Sequence, residues 1–465
     1  MIKNREALLS HGNVAGRKVV LDILEAGLEA PDPYQQTLKV VQREGNKLII
    51  NPELSYTPLP APLVYDLRQI KNIYVVGGGK AAQKEAQALE DLLGDFITEG
   101  QINTKKGDPV LCKKINVTLA GHPIPDEDSV AGAQRILEIE HKAKEGDLVF
   151  FCTSGGGTAL KALPAPGISL KDLQEVYRIL YFSRGASMPE SNAVRNLLTL
   201  VRGKHAKNIK GATVFELQTT ETPLYLRGPL FKTPTHLDGY EKAIGVLKHY
   251  QCWDEVPAAV RTFLLNKDPR FLLPSPEEWK QRPYYRFRVA GPELMIEAAR
   301  EKSEAMGFNT AVLATSLNDI EAKPVAEVLA RIAEEEEIKG RPLKPPCVLI
   351  CGGEVVVAIG DAKGIGGRNQ EMVLYMARHN SGSKNIVIGS ADSDGTDGPT
   401  EYAGGIVDGE TTDRAAKAGF NLDEELKNHN SNPVLKALDD LIYTGNTGTN
   451  VRDLRVIYVA GQAEL

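Results

Sequence analysis

Two glycine-rich segments of the chain have the composition of anion-binding turns. Residues 77–80 read Gly-Gly-Gly-Lys after the apolar run 70–76, and residues 154–157 read Ser-Gly-Gly-Gly after the β-rich run 147–153. Such a turn between a strand and a helix exposes successive backbone N–H groups, which bind phosphate or carboxylate oxygens. The alternative is that the glycines only permit a tight turn and that Ser154 only caps a helix. The predicted nucleotide contacts in these turns are Gly78, Gly79, Gly155, Gly156 and Gly157.

Arg368 follows a third glycine-rich turn, residues 364–367, at the predicted start of a helix. A guanidinium group forms paired, charge-assisted hydrogen bonds with carboxylate and phosphoryl groups. Because helix starts favour acidic side chains, an arginine at this point indicates an anionic ligand. The alternative is a structural salt bridge to Glu371 or Asp361.

Asp394 and Asp397 lie in a short acidic loop after the predicted strand 385–389. Open α/β sheets bind ligands at the carboxyl ends of their strands, and carboxylate oxygens suit magnesium. An Asx turn without a ligand is the alternative for an isolated acidic loop. The glycine and arginine loops elsewhere in the chain favour the magnesium site.

A polar loop at residues 444–450 reads Thr-Gly-Asn-Thr-Gly-Thr-Asn. Few core segments hold so many hydroxyl and amide groups, so the loop is predicted to line a nucleotide pocket, with a hydrogen-bonded surface turn as the alternative. His122, in the segment Gly-His-Pro-Ile-Pro-Asp, is a candidate substrate contact or a turn residue. The predicted nucleotide contacts in the polar loop are Thr444, Thr447, Thr449 and Asn450.

The first glycine turn also matches a second kind of nucleotide site. Residues 77–82 fit the dinucleotide pattern G-x-G-x-x-A, which supports an NAD(P)H-dependent oxidoreductase as an alternative function. That fold needs an acid at a strand end about 20 residues on, but Asp95 and Glu99 lie in a stretch with no predicted strand. A P-loop is excluded, because Ala81 stands where a Ser or Thr must follow the lysine.

The segments that could do chemistry share one order of elements: a strand, a glycine-rich turn and a helix. That recurrence predicts a parallel sheet covered by helices, the α/β class. The pattern loosens over residues 229–285, where prolines interrupt short helical pieces, and then resumes. We therefore expect two domains: residues 1–285 with a Rossmann-like parallel sheet, and residues 286–465 as a second, three-layer α/β domain with a mixed sheet. The predicted elements of the second domain are helices at 292–306, 323–337 and 369–379 and strands at 310–315, 347–351 and 385–389.

Composition excludes several classes of partner. The formal net charge is −6 and no lysine-rich or arginine-rich block occurs, so the chain lacks the positive surface that nucleic acid requires. The five cysteines are widely spaced without a C-x-x-C pair, which argues against disulfides. No segment approaches 18 uninterrupted apolar residues. We expect a cytoplasmic protein that binds small molecules, with no nucleic-acid or membrane partner and with a homodimer as one option.

The ordered motifs resemble those of the glycerate 2-kinases whose C-terminal half is a MOFRL domain, the DUF4147 plus MOFRL type. The resemblance covers nearly the whole chain and implies a Rossmann-like first domain, a second α/β domain and a cleft between them. In that cleft ATP with Mg²⁺ would phosphorylate D-glycerate at its 2-hydroxyl. Some relatives carry the name hydroxypyruvate reductase. The matching stretches are residues 75–82, 121–126, 154–160, 164–167, 192–195, 352–354, 366–371, 394–400 and 444–451.

The resemblance also implies roles for individual residues. Lys80 and Arg368 are the expected catalytic cations, and Asp394 is the third expected catalytic residue. Asp394 and Asp397 are expected to serve the metal and the phosphates. The expected substrate contacts are Ser154, Arg195, His122 and Glu354.

One segment departs from the family pattern. Where the family has a strand ending in S-D-V-x-G-D, residues 217–223 read Leu-Gln-Thr-Thr-Glu-Thr-Pro, and the loop up to residue 229 is shorter. Glu221 is the acidic residue left in this loop, and it is assigned to the metal. Two alternative functions follow: a small-molecule or nucleotide-binding protein that has lost catalysis, and an NAD(P)H-dependent hydroxypyruvate reductase.

Overall fold

The chain forms two units, and its first 32 residues belong with its C-terminal part. One unit contains Pro33–Thr220 and Leu224–Val289, and the other contains Met1–Asp32, Glu221–Pro223 and Ala290–Leu465. The predicted division after residue 285 lies close to the boundary at Val289, but it placed residues 1–32 in the other domain. The computed structural model describes residues 1–55, 59–221, 239–280 and 283–461, without the side chains of residues 276 and 280.

Two helices, α1 (Arg5–Leu8) and α2 (Val14–Glu29), come first in the chain. Asn13 caps α2, because its side chain accepts a hydrogen bond from the backbone N–H of Gly16 at 2.9 Å. Helix α3 (Pro33–Val40) then begins the other unit and leads into a small antiparallel sheet. The strands of that sheet are β1 (Val41–Glu44), β2 (Lys47–Ile50) and β3 (Leu63–Asp66).

A sheet of six described strands forms the centre of the unit that contains Pro33–Thr220. Its strands are β4 (Ile73–Gly78), β5 (Ile97–Lys105), β6 (Asn116–Ala120), β7 (Leu148–Thr153), β8 (Thr213–Thr219) and β9 (Tyr284–Ala290). They stand in the order β6-β5-β4-β7-β8-β9, and the pairs from β6 through β8 are parallel. Numbered within the sheet, this is the Rossmann order 3-2-1-4-5-6, which reverses between β4 and β7. The predicted Rossmann-like parallel sheet is confirmed.

Helices cover both faces of this sheet. Because successive residues of a strand point to opposite faces, Val75 of β4 joins the core that contains Ala86, while Val76 joins the core that contains Ile136. Burial on both faces explains why β4 and β7 are continuous apolar runs. The helix that follows the second glycine turn, α6, is a single turn. The helices of this unit after α3 are α4 (Ala82–Leu93), α5 (Glu127–Lys142), α6 (Gly157–Leu160), α7 (Leu170–Tyr177), α8 (Met188–Arg195), α9 (His205–Asn208), α10 (Gly239–His249), α11 (Ala258–Asn266) and α12 (Pro276–Lys280).

Strand β5 occupies a stretch where the sequence pattern predicts no strand. Its buried residues include the polar Gln101 and Asn103, so it has no apolar run that a pattern could detect. The NH2 groups of these side chains are hydrogen-bonded: Gln101 Nε2 donates to Asn103 Oδ1 at 3.0 Å, and Asn103 Nδ2 donates to the carbonyl oxygen of Leu160 at 2.8 Å. A buried strand can therefore be polar when its side chains are hydrogen-bonded.

The second unit is built on a mixed sheet, as predicted. Among the described residues its strands are β10 (Asn309–Ala314), β11 (Cys347–Gly352), β12 (Ile386–Asp392), β13 (Gly404–Asp408), β14 (Leu441–Ile442) and β15 (Asp453–Val459), in the order β10-β11-β15-β12-β13-β14. β10 and β11 are parallel, and the other pairs are antiparallel. Its further helices are α13 (Pro292–Ala305), α14 (Ala322–Lys339), α15 (Arg368–His379), α16 (Thr411–Lys417), α17 (Leu422–Lys427) and α18 (Ser431–Ala437).

Residues 1–32 join this unit because α2 packs on β12, β15 and α13. Val20 and Leu24 of α2 lie against Gly389 of β12, where an added Cβ would come within 2.7 Å of Val20 Cγ1 and 2.6 Å of Leu24 Cδ1. Helices α14 and α15 cover the opposite face of the sheet with a separate apolar core. The sheet of this unit therefore lies between two helical layers, and α2 belongs to the layer opposite α14 and α15.

Two further properties bear on the environment of the chain. No helix within the described ranges combines the length and apolarity needed to cross a membrane. All five cysteines are buried free thiols. Burial raises the pKa of the Cys112 thiol to about 12, which keeps it protonated and unreactive at neutral pH.

Candidate active site

The two glycine turns lie side by side at the carboxyl ends of β4 and β7. These strands are neighbours at the point where the strand order reverses, which is where open α/β sheets bind ligands. The Oγ of Ser154 accepts a hydrogen bond from the N–H of Ala81 at 2.8 Å, and the N–H of Lys80 donates to the carbonyl oxygen of Gly155 at 2.9 Å. The turns therefore form one hydrogen-bonded surface, and Ser154 joins them instead of capping a helix.

Lys80 and His122 approach the same glycine of this surface. A Cβ added to Gly156 would lie 3.1 Å from Nε2 of His122 and 3.4 Å from Cγ of Lys80. His122 is exposed and Lys80 is partly exposed, so both remain accessible to a small molecule. The stem of a lysine and an imidazole thus lie beside the second glycine turn, and side chains of these two types can hold an anion and contact a hydroxyl group.

Gly77→Ala is expected to destabilise the chain by about 2–3 kcal/mol in urea denaturation. The φ of Gly77 is +154°, and an added Cβ would lie 1.9 Å from the carbonyl oxygen of Cys152 in β7. Gly107→Ala is the matched control, because its φ of +94° is also positive but no atom lies within 4 Å of the added Cβ. That variant should lose only about 1 kcal/mol from backbone strain. Equal losses in the two variants would contradict the close approach of β4 and β7.

Arg195, predicted to bind the substrate carboxylate, is buried beside the second glycine turn. Its guanidinium carbon lies 4.5 Å from the ring centre of Tyr177, and its Nη2 donates to Asn192 Oδ1 at 2.8 Å. The same oxygen accepts a hydrogen bond from the hydroxyl of Thr158, which follows the turn, at 3.3 Å. Burial lowers the pKa of Arg195. Asn192 thus connects Arg195 to the turn.

Two buried ionisable side chains beneath the turns are missed by sequence reasoning. Lys161 is fully buried, and its Nζ has no hydrogen-bond partner among the described residues but lies 4.5 Å from the ring centre of Phe151. Glu85 is also fully buried and accepts a hydrogen bond from the hydroxyl of Thr219 at 2.7 Å. Burial lowers the pKa of Lys161 to about 7 and raises the pKa of Glu85 well above its usual range. No motif marks either residue, since their burial follows from the fold.

Lys161→Met is expected to raise the free energy of unfolding by about 2 kcal/mol at about pH 6 and by less at about pH 9. Lys161 has a pKa of about 7 when folded against its usual 10.5, so the folded state binds fewer protons between these values. Stability of the unmodified chain therefore rises with pH across that window, and the penalty that methionine removes is fully present below it.

Urea denaturation of both proteins at the two pH values measures this difference. The buried Lys204, whose pKa is also lowered by burial to about 7, contributes equally to both proteins. Lys171→Met, at an exposed position, is the control and should change stability little at either pH. A larger gain from Lys161→Met at the higher pH would contradict the buried, unpaired amine.

In the second unit Arg368 is held by three carboxylates. Its Nε and Nη2 donate to the carboxylate of Asp453 at 2.9 and 2.8 Å, and Nη2 also donates to Asp392. Its Nη1 lies 3.4 Å from Glu354 Oε1. Burial alone would lower the pKa of Arg368, but Asp453 and Asp392 outweigh it and raise that pKa well above its usual range. The predicted alternative partners, Glu371 and Asp361, are not among these contacts.

Asp392 and Asp453 face each other across β12 and β15 in register. Like charges directly opposite each other in an antiparallel pair are unfavourable unless a cation lies between them. The Nη2 of Arg368 contacts both, so it supplies that cation. Burial together with the charge of Asp394 raises the pKa of Asp392 well above its usual range. Sequence reasoning missed both aspartates, because strand register brings them together.

The two aspartates predicted to bind metal differ in their surroundings. Asp397 accepts hydrogen bonds from the backbone N–H groups of Asn369 at 3.2 Å and Gln370 at 2.9 Å, so its two oxygens hold the start of α15. Burial raises its pKa to about 6. Asp394 Oδ1 accepts from the N–H and the hydroxyl of Thr396 at 2.9 and 2.7 Å, which is the Asx turn weighed as the alternative. Within the described ranges, no group of three His, Cys, Asp or Glu side chains could hold a metal ion.

The polar loop 444–450 packs beside this acidic loop. The hydroxyl of Thr447 donates to the carbonyl oxygen of Ser393 at 2.5 Å, and a Cβ added to Gly395 would lie 2.0 Å from the carbonyl oxygen of Gly445. The hydroxyls of Thr444 and Thr449 donate to backbone carbonyl groups, of Gly445 at 2.9 Å and of Pro31 at 3.1 Å. These three hydroxyls therefore also hold the loop itself.

Glu221, the third predicted metal ligand, accepts a hydrogen bond from the side-chain amide of Asn450 at 2.5 Å. This contact pairs a predicted metal residue with a predicted nucleotide residue. The remainder of the altered loop, residues 222–229, lies outside the described residues.

Strand β5 argues against a dinucleotide-binding site in this unit. In a dinucleotide-binding fold the acid that contacts the ribose ends the second strand. Here β5 ends at Lys105, whereas Glu99 lies near its start and pairs with Tyr74. The strand itself therefore ends in a cation, and the first acid after it, Asp108, accepts a hydrogen bond from the hydroxyl of Thr104 at 2.5 Å.

Family models and known proteins match this chain over most of its length. The family described as domain of unknown function DUF4147 matches residues 19–265, and the MOFRL family matches residues 347–453. The chain is 36% identical to the glycerate 2-kinase of Pyrococcus horikoshii over 454 residues, which are 96% of this chain and 98% of that one. It is 32% identical to a putative hydroxypyruvate reductase of Agrobacterium vitis over 83% of this chain and 98% of the relative.

The fold is shared with a solved relative. The crystal structure of glycerate kinase from Thermotoga maritima matches with a TM-score of 0.77 and 32% identity, covering 96% of this chain and 100% of that one. Matches of this length extend through both units. The chain belongs to the DUF4147 and MOFRL family, the glycerate 2-kinase family that its motifs resemble.

Proposed function

We propose that this chain is a D-glycerate 2-kinase that takes its phosphoryl group from ATP. The observation that carries the proposal is the pair of glycine turns at the β4 and β7 ends, which are hydrogen-bonded to each other and have the stem of Lys80 and the imidazole of His122 beside Gly156. Kinase chemistry depends mostly on positioning the phosphates and stabilising their charge. Backbone N–H groups beside a lysine supply both.

The glycine turns and Arg368 are groups of the kind that phosphoryl transfer needs. The glycine turns bind nucleotide phosphates, with Lys80 offsetting their charge, while Ser154 and His122 contact the hydroxy acid. Arg195 binds the carboxylate of the hydroxy acid. Arg368 stabilises charge on the transferred group, because two buried carboxylates already hold its guanidinium in place. The polar loop contributes nucleotide contacts through Thr444, Thr447, Thr449 and Asn450.

Magnesium is proposed to arrive with ATP. In kinase sites Mg²⁺ is bound by one or two carboxylates together with substrate phosphates, and it neutralises phosphate charge there. Asp394 is the proposed protein ligand, since Asp397 accepts from helix N–H groups with both oxygens and Glu221 accepts from Asn450. The carboxylate of Asp394 lies beside Asp392, so the acidic loop attracts a cation.

The test is an ADP-release assay with ATP and magnesium against D-glycerate, tartronate and erythronate. Turnover on D-glycerate with 2-phosphoglycerate as the product supports the proposal. If no ADP is released with any of the three acids although ATP still binds, the result would contradict the proposal and favour a binding protein. NAD(P)H oxidation with hydroxypyruvate, measured in the same preparation, would favour a reductase.

A further inference from the structure

Arg452, the residue before β15, has no role in the site described so far. Its Nε lies 3.8 Å from Glu354 Oε2, while Arg368 Nη1 lies 3.4 Å from Glu354 Oε1. The side chain of Glu354 is 41% exposed, whereas each arginine side chain is 19% exposed. One accessible carboxylate therefore stands between two largely covered guanidinium groups.

Two features of Arg452 are unfavourable for folding alone. Its φ is +74°, in the left-handed region of backbone conformation that residues other than glycine and asparagine rarely adopt. Its Nε is buried and has no hydrogen-bond partner in the part of the chain that the structure describes. Strained backbone and unpaired buried donors persist mainly where a ligand uses them.

A hydrogen bond anchors the backbone of Arg452. Its carbonyl oxygen accepts a hydrogen bond from the N–H of Ser393 at 3.0 Å, which ties it to the acidic loop. The guanidinium of Arg368 is held by Asp453, which accepts hydrogen bonds from Nε and Nη2 of Arg368. Asp453 in turn accepts a hydrogen bond from Arg455 Nη2 at 2.8 Å. Nη1 is the corner of Arg368 that faces Glu354. The partly exposed side chain of Glu354 thus lies between the guanidinium of Arg368, which Asp453 holds, and an arginine whose backbone is anchored.

We propose that Arg452 and Arg368 form a two-arginine subsite for an oxyanion, and that Glu354 takes the place of that oxyanion when no ligand is bound. The proposal deepens the kinase function above and rests on it. The oxyanion is either a phosphoryl group of the nucleotide or the carboxylate of the hydroxy acid, since both offer oxygens that a guanidinium fork recognises. Glu354 would then be displaced by substrate instead of contacting it.

Arg452→Asn separates binding from folding. Asparagine tolerates positive φ, so the variant should melt about 1–3 °C higher than the unmodified chain. Losing the cation should raise the KM of either ATP or D-glycerate about tenfold, and the substrate affected identifies the oxyanion. Gln251→Asn, with a φ of +52° in the other unit, is the control that relieves the same strain and should leave both KM values unchanged. Unchanged KM values in Arg452→Asn would overturn the subsite.

Calorimetric titration with inorganic phosphate and with D-glycerate keeps this inference separate from the kinase function. If the chain has no kinase activity, weaker binding of either probe to Arg452→Asn still supports the subsite, and equal binding of both overturns it. Glu354→Gln gives an independent readout. Removing the competing charge should lower the KM of the same substrate several-fold, and a higher KM would overturn the place assigned to Glu354.

Discussion

Arg368→Ala should lower kcat by a factor of about 10²–10³ at saturating ATP and D-glycerate. Asp453 and Asp392 hold the guanidinium before substrate binds, so its charge acts on the transferred phosphoryl group without reorganisation. A cation that is fixed in advance contributes more to the transition state than one that must be recruited. The measurement is ADP release, with the melting temperature recorded beside it.

The alanine variant also removes the arginine that contacts buried Asp392 and one of the arginines that contact Asp453, which keeps its contact with Arg455. Breaking buried ion pairs in this way costs about 3–5 kcal/mol of stability. Arg368→Lys keeps the charge and separates the two effects. Because an ammonium group cannot make the paired contacts of a guanidinium, its kcat should still fall about tenfold or more while the chain stays folded. Arg378→Ala, at an exposed position on the same helix, should leave kcat unchanged. Full activity in a folded Arg368→Lys variant would remove the catalytic role.

Lys80→Ala should lower kcat/KM for ATP by a factor of about 10². The lysine follows the first glycine turn and meets His122 at Gly156 of the second, so its loss removes the cation from the surface proposed to bind phosphate. The fold should be little affected, since the hydrogen bond to Gly155 uses the backbone N–H of Lys80. Initial rates over a range of ATP concentrations measure the change.

Lys84→Ala is the matched control for this lysine. It removes the same charge one turn further along the chain, on α4, and should leave kcat/KM within about twofold of its original value. Should both variants lose activity equally, general electrostatic attraction of ATP would explain the result, and the specific assignment of Lys80 would be wrong.

Much of the fold follows from local pattern. The strand, turn and helix order predicts β4 and β7 within three residues at each end, because buried parallel strands are apolar throughout. Where burial is achieved by hydrogen bonding instead, as at Gln101 and Asn103 of β5, the pattern gives no signal. The grouping of α2 with β12 and β15 is equally invisible, since an amphipathic helix does not specify its partner sheet.

Part of the candidate site can likewise be predicted from the sequence, and part of it cannot. Glycine turns and their lysine are readable because the backbone conformation requires particular residue types in sequence. Asp453 could not be assigned to Arg368, since their contact depends on strand register and on where α15 begins. Lys161 and Arg452 were missed for a related reason: each is defined by burial or by a backbone angle, which composition does not report.

The position of α2 affects how the chain is made. Its partner strands β12 and β15 lie far towards the C-terminus, so at about 5–20 residues per second they emerge from the ribosome roughly 20–85 s after α2. During that interval α13 can pack on α2, but the part of the apolar face that β12 and β15 cover stays exposed. A copy that stops short of β15 lacks one of these partners permanently, so part of the apolar face of α2 stays exposed in incomplete chains.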